Sequence, residues 1–155
     1  MRYYQGIYAP KNKKKYIGNL DQVFYRSRWE LLVFRWCDLN PDVVEWASEE
    51  TVIPYICQTD KKQHRYFVDL YLKFKSGRKF LIEIKPEKQS VEPKPSKGKK
   101  TSTFLMETLT YQKNMSKWET AKKYASDRGM YFQVWGESAL KSIGINVNFN
   151  KRTKA

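Results

Sequence analysis

The sequence predicts an α/β sandwich, a mixed central sheet flanked by helices. Three observations lead there: a capped apolar helix near the amino end, a central block of alternating β-branched and aromatic runs, and a long helical pattern followed by one short apolar run. Elements in the order helix, strands, helix, strand put helices on both faces of one sheet. The chain has 155 residues, 41% hydrophobic and 15% aromatic, enough for the core of a single domain.

Residues 1–20 are basic and aromatic, contain Gly6, Pro10 and Gly18, and show no period, so an extended arm is expected. Ser27-Arg28-Trp29-Glu30 is a capping box, with Ser at the cap and Glu three residues on. Trp29, Leu32, Val33 and Trp36 then recur at helical spacing, and Asn40-Pro41 ends the run. The expected helix covers residues 22–39, with Ser27 as its latest start. Residues 43–56 read as β, and Pro54 points to an edge or a bulge. Residues 57–63 are polar and read as a loop. Residues 64–75 alternate, with Val68, Leu70, Leu72 and Phe74 on one face and Phe67, Asp69, Tyr71 and Lys73 on the other. After the turn signal Ser76-Gly77, residues 79–85 alternate again: Phe80, Ile82 and Ile84 face the core and Leu81, Glu83 and Lys85 lie opposite.

Residues 86–101 are rich in Lys, Pro and Ser and are expected to form a mobile basic loop. A helical pattern over 102–128, with a break near Asn114, turns Leu105, Leu109, Met115, Trp118, Ala121 and Ala125 inward, and Gly129 caps it. A strand at 130–135, a short helix at 137–143 and a basic tail at 146–155 follow. The organisation is an arm (1–20), one folded domain (21–145) and a tail (146–155).

Lys and Arg number 30 against 16 acids, a net charge of +14. Such an excess selects a polyanionic partner, with nucleic acid first. No run approaches the roughly 18 apolar residues of a membrane span, and Met1-Arg2-Tyr3-Tyr4 lacks the apolar core of a signal peptide; a membrane partner is not expected. Cys37 and Cys57 show no metal-like spacing, which suits a reducing cytosol without a disulfide. There is no Gly-rich phosphate loop of the ATPase type. His64 is the single histidine, which argues against a histidine general base supported by histidine metal ligands; a structural role is expected for it.

The chemistry-bearing pattern is Phe67-Val68-Asp69 followed by Glu83-Ile84-Lys85. Carboxylates that hold Mg²⁺, with an ammonium beside the attacked phosphate, are what a metal-dependent phosphodiesterase needs. Glu83 and Lys85, two apart on a strand, share a face. Asp69 is a lone acid in an apolar run and must be compensated, by a metal ion or by an ion pair with Lys85 or Arg65. With Ser76-Gly77 alone as the hairpin loop, Asp69 would face Ile84. A loop of three residues, or a bulge, puts Asp69 opposite Lys85 and diagonal to Glu83; that odd register is expected. Glu30 either completes the capping box or reaches a metal held by the sheet. Lys11, Lys13, Lys14 and Lys15, the segment lysines Lys97, Lys99 and Lys100, and Lys117 are candidate phosphate contacts, with Asn114 and Gln112 beside Lys117. Tyr3, Tyr4, Tyr8 and Tyr16 interleave with the first cluster, which suits stacking on frayed or single-stranded bases.

Glu30, Asp69 and Glu83-Ile84-Lys85 together resemble the PD-(D/E)xK nuclease superfamily, with Val68 standing where a proline is usual. The stretches Tyr25-Arg26-Ser27-Arg28-Trp29-Glu30, His64-Arg65-Tyr66-Phe67-Val68-Asp69 and Ile82-Glu83-Ile84-Lys85-Pro86 resemble TnsA-type transposon end nucleases. The resemblance is closer to head completion nucleases of large contractile-tailed phages. There it extends to Gly6-Ile7-Tyr8-Ala9-Pro10-Lys11, Lys14-Lys15-Tyr16-Ile17-Gly18, Lys117-Trp118 and Gly129. It implies a restriction-endonuclease-like sandwich and hydrolysis of DNA phosphodiester bonds. The implied cofactor is Mg²⁺ (or Mn²⁺), held by Asp69, Glu83, Glu30 and the Ile84 carbonyl, with Lys85 orienting the attacking water. It further implies trimming or cutting of packaged double-stranded DNA before the tail joins, portal, head or neck proteins as partners, and a place in the cytoplasm of an infected bacterial host or in the virion. The alternatives are a non-catalytic DNA-binding or capsid-joining protein with a nuclease-like fold, and an RNA-processing nuclease.

Overall fold

The computed structural model describes residues 4–147. Its amino-terminal segment is not the expected extended arm. Strand β1 (Gly6–Ile7) pairs antiparallel with β2 (Phe24–Tyr25), and single 3-10 turns occupy Lys13–Lys15 and Leu20–Gln22 between them. Tyr16 is buried, and its hydroxyl accepts the Ser48 N–H at 3.1 Å. Asp38 supplies the reason for the docking. Its buried carboxylate accepts from the Tyr8 hydroxyl (2.6 Å) and from the backbone N–H groups of Lys11 (2.8 Å) and Asn12 (2.9 Å). A buried carboxylate needs such donors, and the amino-terminal segment provides them. Burial alone would raise the Asp38 carboxyl; these donors hold it below its usual range.

Helix α1 (Arg28–Leu39) starts at the capping box, where Ser27 Oγ accepts the Glu30 N–H at 3.2 Å. It does not reach back to residue 22, because β2 occupies Phe24–Tyr25 and the Tyr8 N–H bonds to the Val23 carbonyl at 2.8 Å. The β run 43–56 divides into β3 (Val43–Ser48) and β4 (Val52–Ile56), parted at Glu49, whose φ is +55°. The alternating run 64–75 also divides, into β5 (Gln63–Phe67) and β6 (Leu70–Phe74). Among the described residues β5 pairs only with β4, as a hairpin in which Pro54 stands opposite Arg65. β6 enters the central sheet between β3 and β7 (Lys79–Ile84). The chain changes sheets at Val68-Asp69, and the change resets the alternation. Val68 packs with Leu81 in one core, whereas Leu70 joins the other.

Residues 86–101 contain a 3-10 turn at Glu87–Ser90 and lead into α2 (Thr101–Asp127), which runs through Asn114 without a break. Its end is a Schellman motif: Met130 N–H bonds to the Ala125 carbonyl at 2.8 Å, Gly129 N–H bonds to the Ser126 carbonyl at 3.2 Å, and Gly129 has φ +68°. Helix α2 is the crossover to β8 (Tyr131–Trp135), which pairs parallel with β7. The central order is therefore β3-β6-β7-β8, mixed as expected, and α3 (Glu137–Ser142) follows. Of the expected tail, Val147 packs against the core and residues 148–155 lie outside the described residues.

Both faces of the sheet are covered. On one, Leu70, Leu72 and Ile82 pack with Val33, Phe34, Trp46 and Leu140. Phe34 is fully buried with its ring 5.4 Å from Trp46, and truncating such a side chain to Ala costs roughly 3–5 kcal/mol. On the other face, Leu81 and Val68 pack with Ile53, Tyr66, Trp118, Ala121 and Ala125. Leu105 and Leu109, expected to face inward, are 56% and 40% exposed. The buried residues of α2 begin at Asn114, so its first turns project beyond the sheet.

Candidate active site

The site is built on the β6–β7 hairpin. Phe74 N–H bonds to the Arg78 carbonyl at 3.0 Å and Gly77 N–H to the Phe74 carbonyl at 2.9 Å, leaving residues 75–77 as a three-residue connection. Gly77 takes the left-handed position with φ +91°. The ladder runs from Lys73↔Lys79 to Leu70↔Ile82. Continued one step, it brings Asp69 level with Glu83. The odd register is thus present and the two acids share a side of the sheet. The residue directly across is Glu83 rather than Lys85, because the hairpin closes one residue earlier than expected, taking Lys75 into its turn.

Asp69 stands at the break between β5 and β6, where the Ile84 N–H donates to its Oδ2 at 2.8 Å. Burial pushes its carboxyl well above the usual range, and the charge of neighbouring Glu83 pushes it further; the Ile84 N–H opposes both. Glu83 is 4% exposed. Its Oε2 accepts the Tyr66 hydroxyl at 2.6 Å, and its Oε1 lies 3.7 Å from Lys85 Nζ. Among the described residues Asp69 has no ion pair. Lys85 pairs with Glu83 instead, and the Arg65 guanidinium lies 5.6 Å from the Phe67 ring centre. Like charges so placed in a low-dielectric pocket require a shared proton or a cation.

Glu30 Oε2 accepts the Ser27 hydroxyl at 3.1 Å beside the helix cap, and the carboxylate also contributes to this field. Burial raises its carboxyl while Ser27 and the Arg26 amide lower it, and its charge adds to the repulsion felt by Asp69. Capping and proximity to the acids therefore hold together. Lys117, on α2, places Nζ 5.5 Å from the Tyr66 ring centre. Burial lowers its ammonium and the Glu83 charge raises it, so a second cation feels the field of the same carboxylate. Arg26 and Glu49 form an ion pair at the rim, and the Glu49 N–H bonds to the Asp69 carbonyl at 3.4 Å.

Tyr66 and the Arg26–Glu49 pair were not anticipated. Tyr66 lies three residues before Asp69, which on an unbroken strand means the opposite face. The other candidates disperse. Lys11, Lys13 and Lys14 are exposed on the amino-terminal segment. The Lys15 ammonium instead donates to the carbonyls of Asp38 (2.9 Å) and Asn40 (2.8 Å), closing the carboxyl end of α1. At 1.5 Å per helical residue, that end lies about 15 Å from Glu30 along the axis. Lys97 and Lys100 are exposed, whereas Lys99 pairs with Glu107 at 3.0 Å. Gln112 is exposed and Asn114 is buried, out of reach of a phosphate. His64 stands near the start of β5, away from Asp69 and Glu83, where its Nε2 contacts Asp60 Oδ2 in the β4–β5 turn at 2.7 Å. A groove of about 640 Å³ between residues 88–93 and the first turns of α2 is lined by none of Glu30, Asp69 and Glu83.

Two comparisons with known proteins bear on this geometry. A family described as TnsA-like endonuclease N terminal matches residues 40–137, which include Asp69, Glu83, Lys85 and Lys117. The chain is also similar to the head completion nuclease of Enterobacteria phage T4, with 40% identity over 145 residues, 92% of this chain and 97% of that protein. No solved structure matches it.

Proposed function

We propose, since the chain belongs to the TnsA-like endonuclease family, that it is a Mg²⁺-dependent deoxyribonuclease acting in phage head completion. The observation that carries this reading is the Asp69–Glu83 pair, in which burial and then the Glu83 charge raise the Asp69 carboxyl, with Lys85 paired to Glu83 and Lys117 in the field of the same carboxylate. Such a pair fits a hard divalent cation, Mg²⁺ or Mn²⁺. Asp69 and Glu83 would hold it, with Glu30 and the Ile84 carbonyl completing the set. When bound, the ion supplies an activated water at neutral pH and a counter-charge for the phosphate.

The remaining roles follow from the chain's own groups. Tyr66 fixes Glu83 by its hydroxyl, and the Ile84 N–H fixes Asp69, so both carboxylates are held before DNA arrives. Lys85, partly exposed beside Glu83, orients the attacking water and meets the negative charge that grows on the phosphate. Lys117 supports that charge from α2. The exposed Lys11, Lys13, Lys14, Lys97 and Lys100 bind the duplex backbone away from the cut, for which a net charge of +14 provides the long-range attraction. The substrate is packaged double-stranded DNA, and the setting is the host cytoplasm or the virion, beside portal, head or neck proteins.

The test is incubation with circular plasmid, linear duplex and RNA, each with Mg²⁺ and with EDTA, for the parent and for Asp69→Asn. Cation-dependent cutting of DNA that is lost in the variant is expected. Binding without cutting under all conditions would point to a non-catalytic joining protein, and preferential cutting of RNA to an RNA-processing nuclease; either result overturns the proposal.

A further inference from the structure

The turn between β4 and β5 is closed twice by its backbone: Cys57 N–H bonds to the Lys62 carbonyl at 3.0 Å and Lys61 N–H to the Cys57 carbonyl at 2.8 Å. Lys61 accommodates the turn with φ +58°. The fold thereby gathers one atom each from Cys57, Asp60 and His64, all within 4.8 Å of one another. None of these residues belongs to the carboxylate set on β6 and β7.

We propose that Cys57, Asp60 and His64 form a second metal site, selective for zinc-type transition ions, that clamps the β4–β5 turn. The donor set decides the selectivity. A thiolate and an imidazole suit Zn²⁺, whereas Mg²⁺ takes oxygen ligands, so the two sites of the molecule would sort their ions by softness. The geometry is within reach. Ligand bonds of about 2.0–2.3 Å in a tetrahedron place donors roughly 3.3–3.6 Å apart, so the 2.7 Å contact between His64 and Asp60 has only to open slightly and the wider separations to close.

The surroundings already hold the donors in place. Asp60 Oδ1 accepts the Lys62 N–H at 2.9 Å, which leaves Oδ2 turned to His64. The His64 ring packs 5.7 Å from that of Tyr55. Thr59 Oγ1 lies 3.0 Å from Cys57 Sγ and offers a hydroxyl near the fourth position, which water otherwise fills. The Lys61 ammonium is turned to Gln58 Oε1 at 2.8 Å, and thiolate plus carboxylate would neutralise a dication. The consequence is structural. The Gln58 N–H docks this turn on Ser116 Oγ of α2 at 3.1 Å, and β5 runs from His64 directly to Tyr66. An ion here would hold the far end of the strand that supplies the Glu83 hydrogen bond.

The test uses the full, untagged chain stripped by a chelator and titrated with Co²⁺ and then Zn²⁺. One Co²⁺ should bind with a thiolate-to-cobalt charge-transfer band, be displaced by Zn²⁺, and raise Tm further in protein already saturated with Mg²⁺. The band should vanish in Cys57→Ser. Zn²⁺ affinity should fall in Asp60→Asn and His64→Gln, whose exposed or half-exposed side chains make unfolding an unneeded explanation, by more than the roughly 10–100-fold that removal of a mere supporting partner costs. Asp69→Asn should keep the band. Cobalt bound without a thiolate band, zinc affinity unchanged in Asp60→Asn and His64→Gln, or a band abolished in Asp69→Asn would each overturn the proposal while leaving the nuclease reading intact.

Discussion

Replacing Tyr66 with Phe removes one oxygen and leaves a ring of nearly the same shape in a site that is 3% exposed. The change deletes the 2.6 Å hydrogen bond to Glu83 Oε2. A hydrogen bond to a charged acceptor contributes roughly 1.5–3 kcal/mol. Glu83 keeps Lys85 at 3.7 Å and is not orphaned, so the low end of that range applies, about 2 kcal/mol. With a urea slope of about 2 kcal/mol per molar, the unfolding midpoint should fall by about 1 M in metal-free buffer. Saturating Mg²⁺ should widen the gap by about 1.4–2.7 kcal/mol, because an ion held roughly 10–100-fold more weakly stabilises the variant by that much less. The second readout is catalytic: a supporting partner of a metal ligand is worth about 10–100-fold in metal affinity. The Mg²⁺ concentration for half-maximal cutting should rise by that factor, with the saturating rate within a few-fold of the parent. Burial, and then the Glu83 charge, push the Tyr66 hydroxyl far above its usual range, so it stays a donor throughout the working pH range. An unchanged Mg²⁺ requirement accompanied by reduced stability would refute the positioning role and leave Tyr66 a core residue.

Asp69→Asn and Lys85→Ala should each lower cutting by a factor on the order of 10²–10³ while DNA affinity, measured by filter binding, stays within a few-fold; retained cutting removes the residue from the mechanism. Asp69 also sets a pH dependence. Its carboxyl is raised above the ordinary 3.8 in the folded protein, so ionisation costs the fold. Metal-free stability from this group is fully present below the ordinary value and is lost as pH rises through the raised one. Mg²⁺ should restore it, and Asp69→Asn should lack the step, as read by Tm against pH with and without the ion. Lys15→Met should cost about 1 kcal/mol by uncapping α1 and leave the salt dependence of DNA binding unchanged. Lys13→Gln with Lys14→Gln should reduce the slope of log affinity against log salt by about 0.9 for each phosphate no longer neutralised.

What the sequence disclosed was mostly local. The Ser27 cap, the Gly129 cap and the alternation along β7 each depend on a few adjacent residues, and each is where the spacing puts it. The amino-terminal segment eluded the reading because its shape is dictated by Asp38, more than twenty residues away, and a solitary acid in a helix gives no sign of which amides it will gather. Charge was countable, yet its employment was not. Lys15 and Lys99 belong to the same basic runs as exposed lysines, but one closes a helix and the other pairs with Glu107. The shared side of Asp69 and Glu83 followed from parity alone, whereas the residue directly across depended on whether Lys75 joined the turn, which spacing does not encode.

The break at Val68-Asp69 ties these points together. Tyr66 and Asp69 are three apart, and on a continuous strand they would lie on opposite faces. Both nevertheless meet at β7, Tyr66 on the Glu83 carboxylate and Asp69 on the Ile84 amide. The chain achieves this by leaving the β4–β5 hairpin and entering the central sheet between them. The Val68 N–H anchors the crossing on the Thr51 carbonyl at 3.0 Å, and the Asp69 carbonyl receives the Glu49 N–H. The segment joining β3 to β4 thus holds the backbone that aims the acid, and the left-handed Glu49 sits in that segment. A defect in strand regularity is therefore what brings a hydroxyl and two carboxylates to one point. Regular alternation, which makes a strand recognisable in a sequence, has to fail where this site is assembled.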